Sequence, residues 1–254
     1  MVTIAIANNK GGVGKTTTAL CVADALSRAG KRVLVVDMDP QCNTTTTAHG
    51  EIEGVNTMFD YLKEECSIEE ALQKADENRR FDLIPNDPLL SVREAEFASQ
   101  VTKLKLLKRG LKTLAKQYDY CLIDTPPQFG FYTTTSLLSC DGVVVPIDAE
   151  KFAVDGLGSL LKYIDGLKVE NEELEVYGVL VTKVDMRHSE TKVFLENMPT
   201  YAEHFGFKIF DSKIRVCADL AKAQSRLIPV YDYDRHSKAS FDYDNFVDEL
   251  QEVV

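Results

Sequence analysis

The chain has 254 residues, of which 44% are hydrophobic, so it is long enough to bury a full core as one domain spanning residues 1–254. Its 40 Asp and Glu outnumber its 29 Lys and Arg, and the net charge of −11 excludes general attraction of nucleic acid over the whole surface. Any DNA contact must come from a local basic patch or from patches that two copies combine.

Cysteine usage and hydropathy favour a cytoplasmic protein. The six cysteines include no Cys-x-x-Cys pair and have no His partner at zinc spacing, so we expect reduced thiols. No apolar run approaches the length of a transmembrane helix, and we expect neither a signal peptide nor an N-terminal helix-turn-helix extension. Recognition of specific DNA sites would then need a partner.

A glycine-rich segment follows the first predicted strand, Val2–Ala7, and precedes a predicted helix, Thr16–Arg28. Strand, glycine-rich turn and helix are the order of a phosphate-binding loop, whose backbone N–H groups and helix N-terminus hold phosphate oxygens. Lys15 is placed to contact the β and γ phosphates, and the Thr16 hydroxyl to ligate Mg²⁺. The segment reads Lys10, Gly11, Gly12, Val13, Gly14, Lys15, Thr16 and Thr17. It departs from the general pattern by Asn9 in place of glycine and by the second lysine, Lys10.

Two further carboxylate positions follow predicted buried strands. Asp37 and Asp39 come after the strand at 32–36, and Asp124 ends the strand that starts at Tyr118. Ligands of open α/β sheets bind at the carboxyl ends of strands, so these side chains are candidates for holding Mg²⁺ and water. The alternative for Asp37 and Asp39 is turn chemistry before Pro40. The polar residues 43–47 are predicted to form a loop that senses nucleotide.

These motifs together resemble the ParA/MinD ATPases, which carry a deviant Walker A loop. The resemblance rests on the loop at 10–17, the Asp-x-Asp-Pro-Gln at 37–41 and the Asp-Thr-Pro-Pro at 124–127. It implies a doubly wound α/β fold with a mostly parallel sheet and helices on both faces. It also implies that Lys10 reaches the nucleotide of a second copy, that Asp39 lies near the attacking water, and that Asp37 supports the Mg²⁺ shell. Cys42 stands where many relatives have glycine.

The resemblance further implies a function. ATP and Mg²⁺ bind at the loop, an ATP-bound homodimer binds double-stranded DNA without sequence preference, and a ParB-like centromere-binding partner stimulates slow hydrolysis. Such a protein would segregate a plasmid or chromosome on the nucleoid. A MinD-like positioning ATPase is the alternative within the family, although the acidic predicted helix Lys238–Glu252 disfavours an anionic membrane surface.

A GTP-dependent targeting factor is the alternative from outside the family. The sequence Thr-Lys-x-Asp at 182–185 follows a predicted strand, Tyr177–Thr182, and is how signal-recognition-particle GTPases read guanine. Those GTPases lack a lysine at the position of Lys10, and the family commonly has Thr-x-x-Asp-x-Arg here, matched by Thr182, Asp185 and Arg187. The sequence therefore favours adenine.

The remaining elements carry less chemical information. Residues 50–100 are predicted to be irregular, with short helices at 57–63 and 68–74 and a strand at 81–85. A helix with leucines at 104, 107, 111 and 114 follows, whose lysines we expect in solvent, with a DNA patch as the less favoured interpretation. A strand at 141–147, a helix start at 150–157, an amphipathic helix at 193–205 and a last strand at 207–210 complete the series. Five basic residues near the C-terminal third are candidates for DNA contact: Arg187, Lys213, Arg215, Lys222 and Arg226.

Overall fold

The structure is a computed structural model that describes residues 1–50, 52–76, 79–150 and 153–254. Its centre is a seven-stranded sheet in which every pairing is parallel, in the spatial order β3-β2-β4-β1-β5-β6-β7. The strands are β1 (Val2–Ile6), β2 (Val33–Asp37), β3 (Asp82–Ile84), β4 (Tyr120–Asp124), β5 (Gly142–Asp148), β6 (Glu175–Val184) and β7 (Ile209–Arg215).

Helices connect the strands and cover both faces of the sheet. The longer ones are α1 (Lys15–Arg28), α4 (Leu90–Ala98), α5 (Leu106–Leu114), α6 (Phe131–Ser139), α7 (Ala153–Leu167), α8 (Ser189–Phe205), α9 (Ala218–Ser225) and α11 (Lys238–Gln251). The shorter ones are α2 (Asn43–Ala48), α3 (Met58–Lys63), α10 (Val230–Tyr233) and a 3₁₀ turn at Val101–Lys105. The predicted doubly wound α/β fold is confirmed.

Two hydrophobic clusters, one on each face, hold the sheet between its helices. One contains residues of α3 to α8, and the other contains residues of α1, α10 and α11. Strands β2 and β5 are buried at every position, which explains why their sequences are nearly continuous aliphatic runs rather than alternating patterns. Burial on both faces fixes the strand register that positions the polar residues at the strand ends.

The parallel register brings three strand ends together. Asp124, the last residue of β4, is paired with Ile6 at the end of β1 on one side and with Asp37 at the end of β2 on the other. The glycine-rich loop follows directly after β1. The sheet therefore gathers the loop and two acidic residues at one edge, where open α/β sheets bind ligands.

Several local predictions were wrong. The predicted helix at 68–74 is a turn followed by an antiparallel bridge between Gln73 and Leu83, because the backbone N–H and carbonyl of Gln73 bond those of Leu83 and cannot continue a helix. Residues 43–47, predicted as a loop, form α2. The region up to 100, predicted as irregular, contains α4, and the last strand extends to Arg215 rather than ending at Phe210.

The predicted helix with leucines at 104, 107, 111 and 114 also differs from its prediction, both in its first turn and in the surroundings of its lysines. It is a 3₁₀ turn followed by α5, and Lys103 is buried, with its ammonium donating to the carbonyl of Leu62 and lying 3.6 Å from a Glu64 carboxylate oxygen. The other lysines of the turn and the first turn of α5 are partnered, by Glu170 and by Asn171. The predicted helix start at 150–157 lies partly outside the described residues, and α7 begins at Ala153.

Candidate functional site

The glycine-rich loop between β1 and α1 has the backbone shape that its glycines predict. Gly12 and Gly14 have φ of 76° and 91°, in the left-handed region that residues with a Cβ rarely adopt. Gly14 immediately precedes α1, so the first N–H groups of the helix, at Lys15, Thr16 and Thr17, have no carbonyl of a preceding turn to bond. The loop therefore presents backbone donors and a helix N-terminus, a combination that suits a phosphate group.

Lys15 lies inside this loop. Its ammonium donates to the carbonyl oxygen of Lys10 at 3.2 Å, and its side chain is buried. Burial lowers the pKa of Lys15, and the nearby carboxylates of Asp124 and Asp39 partly offset that effect. A desolvated lysine cation of this kind is stabilised further by an incoming anion, which is the role predicted for it.

Asp37 and Asp124 form a buried carboxylate pair beside the loop. Burial raises the pKa of both groups, and the neighbouring negative charge of Asp124 raises the pKa of Asp37 further. Asp37 accepts from the backbone N–H of Asp39 and from the N–H and hydroxyl of Thr45. Two buried acids this close to each other call for a cation between them or near them.

The hydroxyls of Thr16 and Thr44 both donate to the same oxygen of Asp124, each at 2.7 Å. The other oxygen, Oδ1, is buried and has no hydrogen-bond partner among the described residues. An unpartnered buried carboxylate oxygen next to a threonine hydroxyl fits the water shell of Mg²⁺, which is bound in phosphate-binding loops by a threonine and by carboxylates through water. The residue set predicted for the metal, Thr16, Asp37 and Asp124, is thus brought together, although its role stays a prediction.

The part of the chain that the structure describes contains no cluster of three or more His, Cys, Asp or Glu side chains of the kind that holds a metal by protein ligands alone. Mg²⁺ in nucleotide sites does not need one, because substrate phosphates supply several of its ligands. The geometry fits a metal that arrives with its nucleotide.

Asp39 lies near Lys15 and is held by the segment around it. Its Oδ1 accepts from the N–H of Gln41 at 2.9 Å, and its carbonyl accepts from the side-chain amide of Asn86 at 3.1 Å. Asn86, two residues after β3, also donates its backbone N–H to the hydroxyl of Thr45. Burial raises the pKa of Asp39, and the positive charge of Lys15 opposes this effect. Asp39 is therefore positioned beside the phosphate lysine.

Cys42 begins the turn into α2 with φ of 53°, again in the left-handed region. This backbone angle explains why glycine suits the position and shows that cysteine adopts it here. The thiol is buried and lies 3.5 Å from the carbonyl oxygen of Pro40. Burial and three nearby aspartates raise its pKa well above the ordinary value, so the thiol is not a reactive thiolate.

Lys10 lies at the mouth of the loop and is held within its own chain. Its ammonium is 2.9 and 3.0 Å from the two carboxylate oxygens of Asp148 and 2.7 Å from an oxygen of Glu150. Burial lowers the pKa of Lys10, but the bonds to Glu150 and Asp148 outweigh it, and the net shift is upward. In the single chain, the ammonium of Lys10 is thus bonded to Asp148 and Glu150 and not to a group of the phosphate site.

Two other segments border the loop. The hydroxyl of Thr182, in β6, has its single hydrogen within reach of the carbonyl oxygens of Val13 and Ile147, at 2.9 and 3.0 Å. On the other side, the hydroxyl of Thr125 donates to Ile6, and a Cβ built on Gly11 would stand 4.0 Å from Cβ of Pro127. The Thr-Pro-Pro segment at 125–127 therefore lies directly beside the loop.

The five candidate DNA-contact residues are mostly engaged in contacts inside the chain. Arg187 pairs with Asp185, Arg215 with Asp242, and Lys222 with Asp219, while the ammonium of Lys213 donates to the carbonyl of Asp211. Arg226 lies over the ring of Tyr233 at 5.2 Å and has no carboxylate partner in the described ranges. These contacts reduce the positive charge offered to a phosphate backbone, and the assignment of DNA contacts stays a prediction.

Sequence reasoning missed Thr44 and Asn86 as site residues. The run of threonines at 44–47 was the only available signal for Thr44, and it pointed to a loop rather than to a hydroxyl placed on Asp124. Nothing in the sequence around Asn86 marks it, because its position depends on β3 lying beside β2. Both residues connect the carboxylates to the elements that follow β2 and β3.

The fold and the site define a phosphate-binding-loop protein of the nucleotide-hydrolase class. Comparison with known proteins agrees with that class. The family model described as an AAA domain matches residues 1–176. The sporulation initiation inhibitor protein Soj of Bacillus subtilis is 34% identical over 93% of this chain and 93% of its own length. The chromosome partitioning protein ParA of Caulobacter vibrioides is 36% identical over 91% of this chain and 86% of its own.

Solved structures show the same relationship. The McdA–ATP complex of Cyanothece superposes with a TM-score of 0.86 at 25% identity, covering 100% of this chain and 97% of that one. Cobyrinic acid a,c-diamide synthase of Mycobacterium smegmatis with bound ADP and magnesium has a TM-score of 0.84 at 28% identity, covering 99% and 94%. The chain belongs to the ParA/Soj family of partition ATPases.

Proposed function

We propose that this chain, acting as one domain over residues 1–254, is a partition ATPase that binds ATP and Mg²⁺ and forms an ATP-bound homodimer. The dimer binds double-stranded DNA without sequence preference, and a ParB-like centromere-binding protein stimulates its slow hydrolysis of ATP. Release from DNA after hydrolysis then moves a plasmid or chromosome over the nucleoid in the cytoplasm. The observation that carries the proposal is the combination of Lys10 at the mouth of the loop with the buried group of Lys15, Asp39 and Asp124.

Each residue of this group has a separate task in phosphoryl transfer to water. The loop N–H groups from 11 to 17 and the ammonium of Lys15 hold the phosphate oxygens and neutralise the charge that develops on them. Thr16, Asp37 and Asp124 would hold Mg²⁺, which would supply further neutralisation of the phosphate charge. Asp39 orients the attacking water, and Lys10 of the second copy would complete the site.

The C-terminal helix argues against an anionic membrane as the binding surface. Several acidic residues of α11 bind other parts of the chain: Asp242 pairs with Arg215, and Glu249 accepts from the backbone of Asp211 and Ser212. The helix thus packs on β7 and offers no lysine-rich face to anionic lipid. Among the described residues, no helix is long and apolar enough to span a bilayer.

A gel shift with nonspecific duplex DNA tests the proposal. The duplex is titrated with protein in Mg²⁺ buffer without nucleotide and with ADP, ATP or GTP, at two salt concentrations. We expect a shift with ATP only, weakened by salt because phosphate contacts release counterions. The variant Lys10→Ala serves as the matched control and should not shift the duplex. Absence of a shift with every nucleotide would contradict the DNA step and favour the positioning alternative, and a shift with GTP alone would favour the targeting alternative.

A further inference from the structure

The carboxyl end of β6 and the residues that follow it lie beside the glycine-rich loop. Thr182 contacts the glycine-rich loop through Val13, and a Cβ built on Gly12 would stand 4.0 Å from the ammonium of Lys183. Lys183 and Asp185, together with Val216 after β7, line a cavity of about 1060 Å³ at this edge of the sheet. A nucleotide whose phosphates occupy the loop has its base within reach of this edge, because ligands of open α/β sheets bind at the carboxyl ends of the strands.

Both carboxylate oxygens of Asp185 are engaged by the side chain of Arg187. Arg187 donates through Nε to both carboxylate oxygens, at 2.9 and 3.1 Å, through Nη2 to Oδ2, and through its backbone N–H to Oδ1 at 3.0 Å. Three hydrogens of Arg187 thus face the two carboxylate oxygens, with the Nε hydrogen shared between them, and the ring Nε2 of His188 lies 3.6 Å from Oδ2. The Asp185 side chain is 14% exposed and that of Arg187 is 84% exposed, so the arginine lies on the solvent side of the acid.

The chemistry of the two purines makes this pairing selective. Guanine presents two donors on one edge, the ring N1–H and the exocyclic amino group, which suit a free carboxylate. Adenine presents a donor and an acceptor on that edge, and its ring nitrogen would face carboxylate oxygens with repulsion. When the acceptor positions are already filled, guanine donors lose water without gaining a partner, and an unpaired buried donor is costly.

We propose that Arg187 determines the base preference of this site by occupying Asp185, so that a loop with the guanine-reading sequence Thr-Lys-x-Asp discriminates against guanine. The inference rests on the proposed nucleotide site. Arg187, which is also a candidate for DNA contact, would thus have a role in nucleotide binding that does not involve DNA. Arg187 acts here through Asp185 and is therefore a positioning residue, not one that contacts the phosphates.

Calorimetric titration with ADP and with GDP in Mg²⁺ buffer tests this inference without hydrolysis. The quantity measured is the ratio of the GDP and ADP dissociation constants for the whole chain. We expect the wild-type protein to prefer ADP, and Arg187→Ala to move the ratio at least about tenfold towards GDP, because a hydrogen bond to a charged group is regained. The double variant with Arg187→Ala and Asp185→Asn should return to the wild-type ratio, since no carboxylate remains.

Lys192→Ala is the matched control, because it removes an exposed cation of α8 and leaves the Asp185–Arg187 pair in place. A ratio in Arg187→Ala equal to that of wild type would overturn the inference while leaving the nucleotide site standing. An equal change in the double variant would also overturn it, because the effect would not pass through Asp185. A wild-type protein that binds neither nucleotide would overturn the proposed function and this inference together.

Discussion

Asp148→Asn should make the ATP-bound dimer tighter. In the single chain the ammonium of Lys10 is bonded to both oxygens of Asp148 and to Glu150. If Lys10 must reach the phosphates of a second copy, these bonds have to break before the dimer closes. Their free energy therefore opposes dimerisation, and removing the charge of Asp148 while keeping its shape should weaken that opposition.

The size of the effect follows from the burial of the two acids. Glu150 has 67% of its side chain exposed, whereas Asp148 has 5% and Lys10 has 37%. An exposed ion pair contributes about 0.2–1 kcal/mol, and a hydrogen bond to a charged group about 1.5–3 kcal/mol. Because the amide oxygen of the substituted side chain would still accept one bond, we take about 1 kcal/mol per chain as the loss. Two chains give about 2 kcal/mol, which is about thirtyfold in the dissociation constant of the dimer.

Sedimentation equilibrium with a saturating non-hydrolysable ATP analogue measures this constant directly. Saturation removes any contribution from a change in nucleotide affinity. Glu175→Gln is the matched control, because it removes an exposed carboxylate at the start of β6, the end of that strand remote from the loop. An unchanged or weaker dimer in Asp148→Asn, or an equal gain in Glu175→Gln, would refute the idea that the pairing of Lys10 opposes closure.

Two further substitutions test the phosphate site itself. Lys15→Ala should abolish ATP binding, since it removes the buried cation beside Asp39 and Asp124. An unchanged ATP affinity in a calorimetric titration would contradict the assignment of the phosphate site to this loop. Asp39→Ala should bind ATP and accumulate as a dimer, because the loop and Lys15 stay intact while the water loses its orienting carboxylate. Phosphate release at the wild-type rate would count against that role.

Elements with a strong local pattern were predictable from the sequence. The loop at 10–17 and the strands that end at Asp37 and Asp124 appear where the aliphatic runs and glycines place them, because burial on both faces leaves few alternatives. The meeting of Asp37 with Asp124 was predictable as a consequence of parallel strand ends. The sequence thus predicted at which edge of the sheet the two carboxylates lie, but it did not predict the hydrogen-bond partners of their oxygens.

The remaining contacts depend on long-range packing that no local pattern encodes. The helix α2 has four threonines and a left-handed residue, Cys42, before it, which is weak helical sequence, and its hydroxyls bond Asp124 and Asp37 only because β2 and β4 are neighbours. The burial of Lys103 likewise depends on Leu62, about forty residues earlier in the chain. In the same way, Lys10 meets Asp148 through the pairing of β1 with β5.

The role of Lys10 is tested by the mass of the protein in solution with ATP and Mg²⁺, measured with and without this lysine. Light scattering is carried out on the Asp39→Ala background, in which we expect no turnover, and on the same protein with Lys10→Ala added. We predict that the chain with Lys10 changes from 28.4 kDa to about twice that mass on adding ATP, and that the chain without it stays at 28.4 kDa while still binding nucleotide. A doubled mass without Lys10 would contradict the claim that this lysine joins two copies around the nucleotide.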